Sequence, residues 1–467
     1  MNKAIEKLKT TVPAAPPARN EPERISKAGA IYIEKAELLA TVPLYHYSER
    51  GFWFGADGSG GYSKLSESQA KTLVAEYGFH KRVQDGQGNT PVERAMIYLT
   101  QNKRVAFAGN LAGFSAGFHN TNGTRILVTG SPHLIRPIPG ECFKIRLLIE
   151  SLFYDAEQPK QAVYFYLWLA KSFAVYYRRI TENDTNKFRH CPALAIFGPR
   201  GCGKTALIDL ILTPLLGGKK ADPMNYFREP KFNKELFAAS LLVLDDKGAS
   251  ASLAERRQRG ESIKDTIWKP EQRMEGKGVD ALSLSPFWRL VIAGNDDDAG
   301  LQVAPTLSPS LADKLLILRA QKAENLPTTD EENDEWANAI RTELPAFADY
   351  LLKWQPPEGL TLDPRTRIVN FQHPQIVSAL REMQPEMRLL ELIDTLGLID
   401  DDAPLWEGKA SEFETVMRAK DKQGIISNHL GGASTGRMLS ELARMNPNRV
   451  SKTDRHGTSH YKIYRAK

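Results

Sequence analysis

The chain has 467 residues, a formal net charge of +6 and 42% hydrophobic residues, which is too much for one ordinary core and predicts about two to four domains. Its three cysteines, Cys142, Cys191 and Cys202, share no metal-ligand spacing, which excludes a disulfide scaffold and a cysteine-based zinc site and fits a reducing, cytoplasmic setting. No apolar run is long enough to span a bilayer and no signal-peptide core opens the chain, so no membrane partner is expected.

Residues 1–24 contain "TVPAAPPARNEPER" and read as a leader dominated by proline, alanine and charge. Residues 25–140 read as a small α+β domain. In it "GFWF" is a short strand closed by "GADGSGG", and "SESQAKTLVAEYG" is a helix with Ser66 or Ser68 near its N-cap and Gly78 at its end. "SAGFHNTNGTRILVTG" is a hairpin turning at Asn122-Gly123. No paired-carboxylate strand of a primase or polymerase occurs there. Residues 141–185 form a helical collar around the most apolar window, "AVYFYLWLAKSFAVYYRR", read as a buried helix because Lys171 and aromatics interrupt it at helical spacing.

From Pro192 the pattern becomes strand, Gly-rich loop, helix and strand, predicting an α/β nucleotide-binding core over 186–322. "ALAIFGPRGCGKTALIDLIL" carries Gly198-x-x-x-x-Gly203-Lys204-Thr205 between an apolar strand and a helix, the context a phosphate-binding loop requires. Glycines let backbone N–H groups close around β- and γ-phosphates, and the helix N-terminus adds its positive end. Gly198, Pro199, Arg200, Gly201, Cys202, Gly203, Lys204, Thr205 and Ala206 are therefore candidate ATP contacts. Lys204 would neutralise phosphate charge and the Thr205 hydroxyl would ligate Mg²⁺. "SLLVLDDKG" delivers Asp245 and Asp246 to a strand end, Asp245 as the water-bridged Mg²⁺ carboxylate and Asp246 to polarise the attacking water. A third strand, "FWRLVIAGND", ends at Asn295, placed to contact the γ-phosphate or order the lytic water.

Residues 323–400 read as helices after an acidic loop, "ENLPTTDEENDEW". Residues 401–467 begin within the linker "IDDDAPLWEGK" and end in a helix and a basic turn between two short strands, the outline of a winged helix. From Arg437 onward the tail holds Arg437, Arg444, Arg449, Lys452, Arg455, Lys462, Arg465 and Lys467 against Glu441 and Asp454, a local excess that suits a polyanion.

In "FGPRGCGKT", "LLVLDDKG", "MEGKGVDALSLSPFWRLVIAGN" and "SPSLADKLLILRA", in that order, the chain resembles the superfamily 3 helicases of the AAA+ class. The nearer likeness is to the helicase part of phage and mobile-element primase-helicases, including the poxvirus-type group. It extends from about Leu194 to the C-terminus through "ELPAFADYLLKW", "FQHPQIVSAL", "MLSELARMNPNRV" and "HYKIYR". The resemblance implies a hexameric ring with ATP at subunit interfaces, in the cytoplasm of a bacterium or a phage-infected host. It also implies a pore hairpin whose tip lysine, here Lys277, contacts single-stranded DNA, assisted by Arg273, with 3′ to 5′ movement. The tight glycine-flanked tip and single ammonium of Gly276-Lys277-Gly278 suit a sequence-independent backbone contact. Where the family has a trans-acting arginine before its last strand, this chain has Asp313-Lys314. Lys314 supplies charge without a planar fork, leaving Arg319 and the group Arg256, Arg257 and Arg259 as rivals.

The expected function is thus an ATP-driven DNA helicase or replication-initiator ATPase of a phage, plasmid or mobile element, with a separate primase and with single-stranded or duplex DNA as partners. The alternative is a DNA-binding, ATP-dependent assembly switch for origin binding or helicase loading, or a defence-related ATPase, without processive unwinding. A protein remodeller fits less well, because its pore loops usually carry an aromatic residue and this loop carries lysine.

Overall fold

The computed structural model describes residues 36–47, 51–79, 88–121, 123–184, 190–229, 231, 233–245, 253–276, 279–323, 326–327, 329–399, 405–420, 435–455 and 457–465. They divide into a smaller unit, residues 1–56 and 64–104, and a larger one, residues 57–63 and 105–467. No described helix is long and apolar enough to cross a membrane.

The smaller unit contains the antiparallel pair β1 (Leu44–Tyr47) and β2 (Phe52–Ala56) and helices α1 (Glu67–Glu76) and α2 (Pro91–Asn102). Both helices start at capping boxes. Ser66 caps α1 reciprocally with Gln69, and Thr90 caps α2 with Glu93, so two otherwise orphaned N–H groups at each end are satisfied. Leu39, Val42, Trp53, Val74 and Leu99 form this unit's core.

The larger unit opens with a three-stranded sheet in which β3 (Phe107–Gly109) runs parallel to β5 (Thr124–Val128), and β4 (Gly117–Thr121) pairs antiparallel with β5. Helices α3 (Phe143–Leu152) and α4 (Gln161–Thr181) follow. α4 is the apolar window. It buries Phe165, Leu169, Phe173 and Tyr176, and the Trp168 indole N–H donates to Pro192 O at 2.9 Å.

A five-stranded parallel sheet organises the rest: β6 (Ala193–Phe197), β7 (Lys220–Ala221), β8 (Leu241–Asp245), β11 (Arg289–Gly294) and β12 (Leu315–Arg319), in the order β12-β6-β11-β8-β7. Alternate residues of β6 enter different cores. Leu194 and Ile196 pack with α3, α4 and the later helix α6 (Asp330–Lys353). Ala193, Ala195 and Phe197 pack on the opposite face with Phe107, Phe114 and Ile263. Covering both faces explains why these strands read as unbroken apolar runs.

Between β8 and β11 lie helix α5 (Leu253–Trp268) and the antiparallel hairpin β9 (Gln272–Gly276) and β10 (Val279–Leu284). After α6 come α7 (Pro374–Glu382) and α8 (Pro385–Thr395). The last part combines α9 (Ala410–Lys420) and α10 (Thr435–Met445) with β13 (Leu405–Lys409), β14 (Val450–Arg455) and β15 (Thr458–Tyr464), whose antiparallel order is β13-β15-β14. Leu389, Phe413, Leu439 and Ile463 belong to its own core.

Candidate functional site

The parallel strands β6, β8 and β11 end on the same side of the sheet. The loop after β6 is shaped by its glycines for different reasons. A side chain at Gly198 would begin 2.3 Å from Ala320 O, so the loop passes β12's exit at backbone contact. Gly201 and Gly203 have φ of +71° and +112°, a region that favours glycine. Gly203 stands at the start of a continuous helical run: an α-turn Lys204–Ala206, a π-helical segment Leu207–Leu212 and a closing turn Thr213–Leu215. Leu207, Ile208, Ile211 and Leu212 bury that run against the core.

The Lys204 ammonium folds back over its own loop. It donates to Gly198 O at 2.8 Å and Pro199 O at 3.0 Å, and lies 3.5 Å from both Cys202 Sγ and Asn295 Oδ1. Asp245, the last residue of β8, pairs in register with Ala293 of β11, and Asn295 follows β11 directly. The turn beyond Asn295 is tight. Asp297 Oδ1 accepts from Gly300 N at 2.7 Å, and a side chain at Gly300 would begin 2.5 Å from Asn295 N.

These groups surround one cavity of about 470 Å³, whose wall includes Arg200 through Ala206, Asp245 and Asn295. Gly198 and Pro199 contribute through the carbonyls that hold Lys204. Thr205 and Asp245 are hard oxygen donors in the same wall, a set that fits a Mg²⁺ ion. Among the described residues no group of three or more His, Cys, Asp or Glu stands together as a metal site. The cavity has a further wall that the motifs do not announce: Leu326, Pro327, Asn333 and Trp336. Their only sequence signal is a tryptophan three residues after an asparagine in an acidic helical stretch, which puts the two on one helix face.

Asp246 and Lys277 lie outside the described residues. Gly276, the last residue of β9, pairs with Val279, the first of β10. Arg273 on β9 is 71% exposed and ion-paired with Glu275 at 2.8 Å.

The remaining cationic candidates stand apart from the cavity. Lys314 precedes β12, at the opposite end of the sheet. Its ammonium pairs with Asp313 Oδ1 at 2.7 Å and sits 4.9 Å from the Trp268 ring centroid. Arg365, unremarkable in the sequence, shares both partners: its guanidinium meets Asp313 Oδ2 at 2.5 Å and lies 5.1 Å from the Trp268 centroid. Burial would raise the Asp313 carboxyl, but the Lys314 and Arg365 hydrogen bonds outweigh it and hold it below its ordinary value. Arg319 leaves the far end of β12, where its guanidinium donates to Gln375 Oε1 at 2.5 Å.

Arg256 and Arg259 are each 4% exposed, which removes them from the set of solvent-facing fingers. Arg256 Nε donates to Ala304 O at 3.1 Å, and Arg259 Nη1 donates to Gln302 O and Val303 O at 2.7 and 2.6 Å. Three residues apart on α5, they point inward together and brace the segment after Asn295. Burial, aided by the Arg259 charge, lowers the Arg256 guanidinium to about 10. Arg257 pairs with buried Glu386 at 2.7 Å.

The tail's basic excess is partly matched from outside it. Arg449 meets Asp394 at 2.5 Å, and Glu407 receives Lys462 at 3.1 Å and Arg455 at 3.5 Å. Charge counted along the tail alone leaves these acids out.

A family of unknown function (DUF5906) matches residues 196–306, from within β6 to just beyond β11. No curated protein matches the chain. The solved "apo structure of NrS-1 C terminal region (305-718)" is similar over 95% of this chain and 100% of that one, with 15% identity and a TM-score of 0.52. The "A form apo structure of NrS-1 C terminal region-CTR" is similar over 93% and 99%, at 15% identity and a TM-score of 0.50. These likenesses establish a shared fold. "SCCmec type IV Cch - active helicase" aligns over 87% of this chain and 73% of that one, at 9% identity and a TM-score of 0.31, too loose to carry weight.

Proposed function

We propose that the chain is an ATP hydrolase that drives DNA helicase or replication-initiator work for a phage, plasmid or mobile element. The observation that carries the reading is convergence. Arg200–Thr205 of the loop, Asp245 and Asn295, separated by tens of residues in sequence, line one cavity at the ends of three neighbouring parallel strands. In this reading the cavity belongs to a P-loop ATPase core of the AAA+ type. The loop's N–H groups and the start of the helical run at Lys204 face the phosphates. Lys204 exchanges its Gly198 and Pro199 carbonyls for phosphate oxygens, so the ammonium needs little movement to become useful. Mg²⁺, held by Thr205 and through water by Asp245, would supply charge neutralisation on the β- and γ-phosphates. Asn295 and Asp246 orient the attacking water, whose oxygen bonds to the γ-phosphorus as the bridging bond to ADP breaks.

The same reading assigns Lys277, with Arg273, to single-stranded DNA, the subunits to a hexameric ring, and residues 401–467 to a winged-helix domain binding duplex or a partner. A separate protein would act as primase. The test is strand displacement with ATP, alongside solution mass with and without ATP and DNA. Wild type should unwind and assemble into a ring, and Lys204→Ala should lose both turnover and unwinding. If single-stranded DNA fails to stimulate turnover and no strand is displaced, the helicase reading falls.

A second reading is favoured by one observation. Arg256 and Arg259 are buried, Lys314 is paired with Asp313, and Arg319 is hydrogen-bonded to Gln375. With its trans-acting candidates engaged within the chain, the protein would use ATP to switch assembly on DNA rather than to unwind. ATP-dependent oligomerisation without strand displacement is its signature.

A further inference from the structure

The cavity beside Lys204 has two chemically different ends, and the phosphate reading explains only one. Its second wall is apolar and aromatic: Leu326 and Pro327 from the segment before α6, and Trp336 from the helix itself, with Asn333 at the edge. This wall abuts the loop. A side chain built on Gly203 would lie 3.7 Å from a Leu326 methyl group. Trp336 is partly buried and rests on the sheet's first core, so its indole is held rather than free to swing. Asn333 and Trp336 are three residues apart on α6 and so share a face. They sit near a helix start pinned by a Thr329–Glu332 capping box, with Asn333 N donating to Thr329 O at 3.0 Å. The volume of about 470 Å³ suits a ligand larger than a phosphate chain, since sites for small organic ligands span roughly 300–1,000 Å³.

Resting on the nucleotide reading above, we infer that Trp336, Leu326 and Pro327 form a nucleobase subsite and that Asn333 makes it selective for adenine. An indole face stacks on any base. A carboxamide offers one donor and one acceptor side by side, matching the adenine N7 acceptor and N6 amino donor and mismatching guanine, which presents two acceptors there. The start of α6 is thereby coupled to the bound nucleotide. The helical region after the core becomes part of the ATP site.

Calorimetric titration of the full chain with Mg²⁺ and either ATP, GTP or inorganic tripolyphosphate separates the two ends. Trp336→Ala should weaken ATP by on the order of 10- to 100-fold, the range expected when a base is deprived of one aromatic stacking partner, and leave tripolyphosphate unchanged. Trp336→Phe should recover most of that affinity. Asn333→Leu, at an exposed position outside the core, should erase the preference for ATP over GTP. The subsite is refuted if Trp336→Ala leaves ATP affinity intact, if it weakens ATP and tripolyphosphate equally, or if Asn333→Leu leaves the ATP-to-GTP ratio unmoved. Lys204→Ala, weakening all three ligands, reports on the nucleotide reading separately. Failure of wild type to bind any of them overturns both.

Discussion

Asn233 grips the hairpin strand at Glu275: its Oδ1 accepts from Glu275 N at 2.7 Å while its Nδ2 donates to Arg273 O at 2.8 Å. The carboxamide therefore imitates a neighbouring strand, satisfying one donor and one acceptor of β9. Asn233 is 2% exposed, so water cannot easily take its place. The grip lies within four residues of Lys277, where the proposed DNA contact begins.

Asn233→Ala should remove two part-buried hydrogen bonds to β9, each worth about 0.5–1.5 kcal/mol. Urea unfolding should show that destabilisation, and amide exchange should quicken at Arg273 and Glu275 before the central sheet is affected. Exchange there at the wild-type rate would mean the hairpin does not depend on Asn233.

Lys277→Ala should weaken single-stranded DNA binding and flatten its salt dependence. The slope of log K against log salt should fall by about 0.7 for each phosphate that a bound subunit no longer neutralises. An unaltered slope would remove Lys277 from the DNA interface.

Gly198→Ala tests the loop's closest approach. The new methyl would meet Ala320 O at 2.3 Å and Ala320 Cβ at 2.8 Å, and neither can swing away as a flexible side-chain end would. Overpacking of this kind costs about 1–3 kcal/mol, and ATP affinity should fall with it because the loop is pushed off β12. If thermal melting and ATP affinity both stay at wild-type values, this close approach is not a constraint in solution.

Asp155 supplies a pH-dependent tie. It accepts from Glu157 N and Gln158 N at 2.8 and 2.9 Å, and contacts His373 Nε2 at 3.1 Å. Burial pushes its carboxyl up, but the Gln158 and Glu157 N–H groups and the His373 ring prevail and depress its pKa. A depressed carboxyl contributes stability that is present above its unfolded value, near pH 4, and is lost as pH falls through the folded value. The stability gap between wild type and Asp155→Asn should therefore hold steady above about pH 5 and close below about pH 4. A gap that widens on acidification would reverse the assigned sign.

Much of the fold was legible because its signals are local. The Ser66 cap and Gly78 bracket α1, apolar runs announced β6, β8 and β11, and the aromatic window became α4. The loop, Asp245 and Asn295 could be picked from strand ends alone. Trp336, Asn333 and Asn233 could not, because nothing beside them in the chain shows what they face. Arg256 and Arg259 illustrate the same limit. Charge and position made them rivals for the trans-acting role, whereas helix phase and the 302–304 segment, which the sequence does not display, turn them inward.

By itself the sequence determined the elements and which polar residues stand where the apolar strands end, since hydrophobic period, turn glycines and caps act over a few residues. Only the tertiary structure decided that β11 lies between β6 and β8, which sets Asn295 beside Lys204. It alone closed the cavity with the start of α6, and it paired Lys314 and Arg365 across one carboxylate. Those outcomes depend on how distant apolar faces cover one another, and no short stretch of chain encodes that.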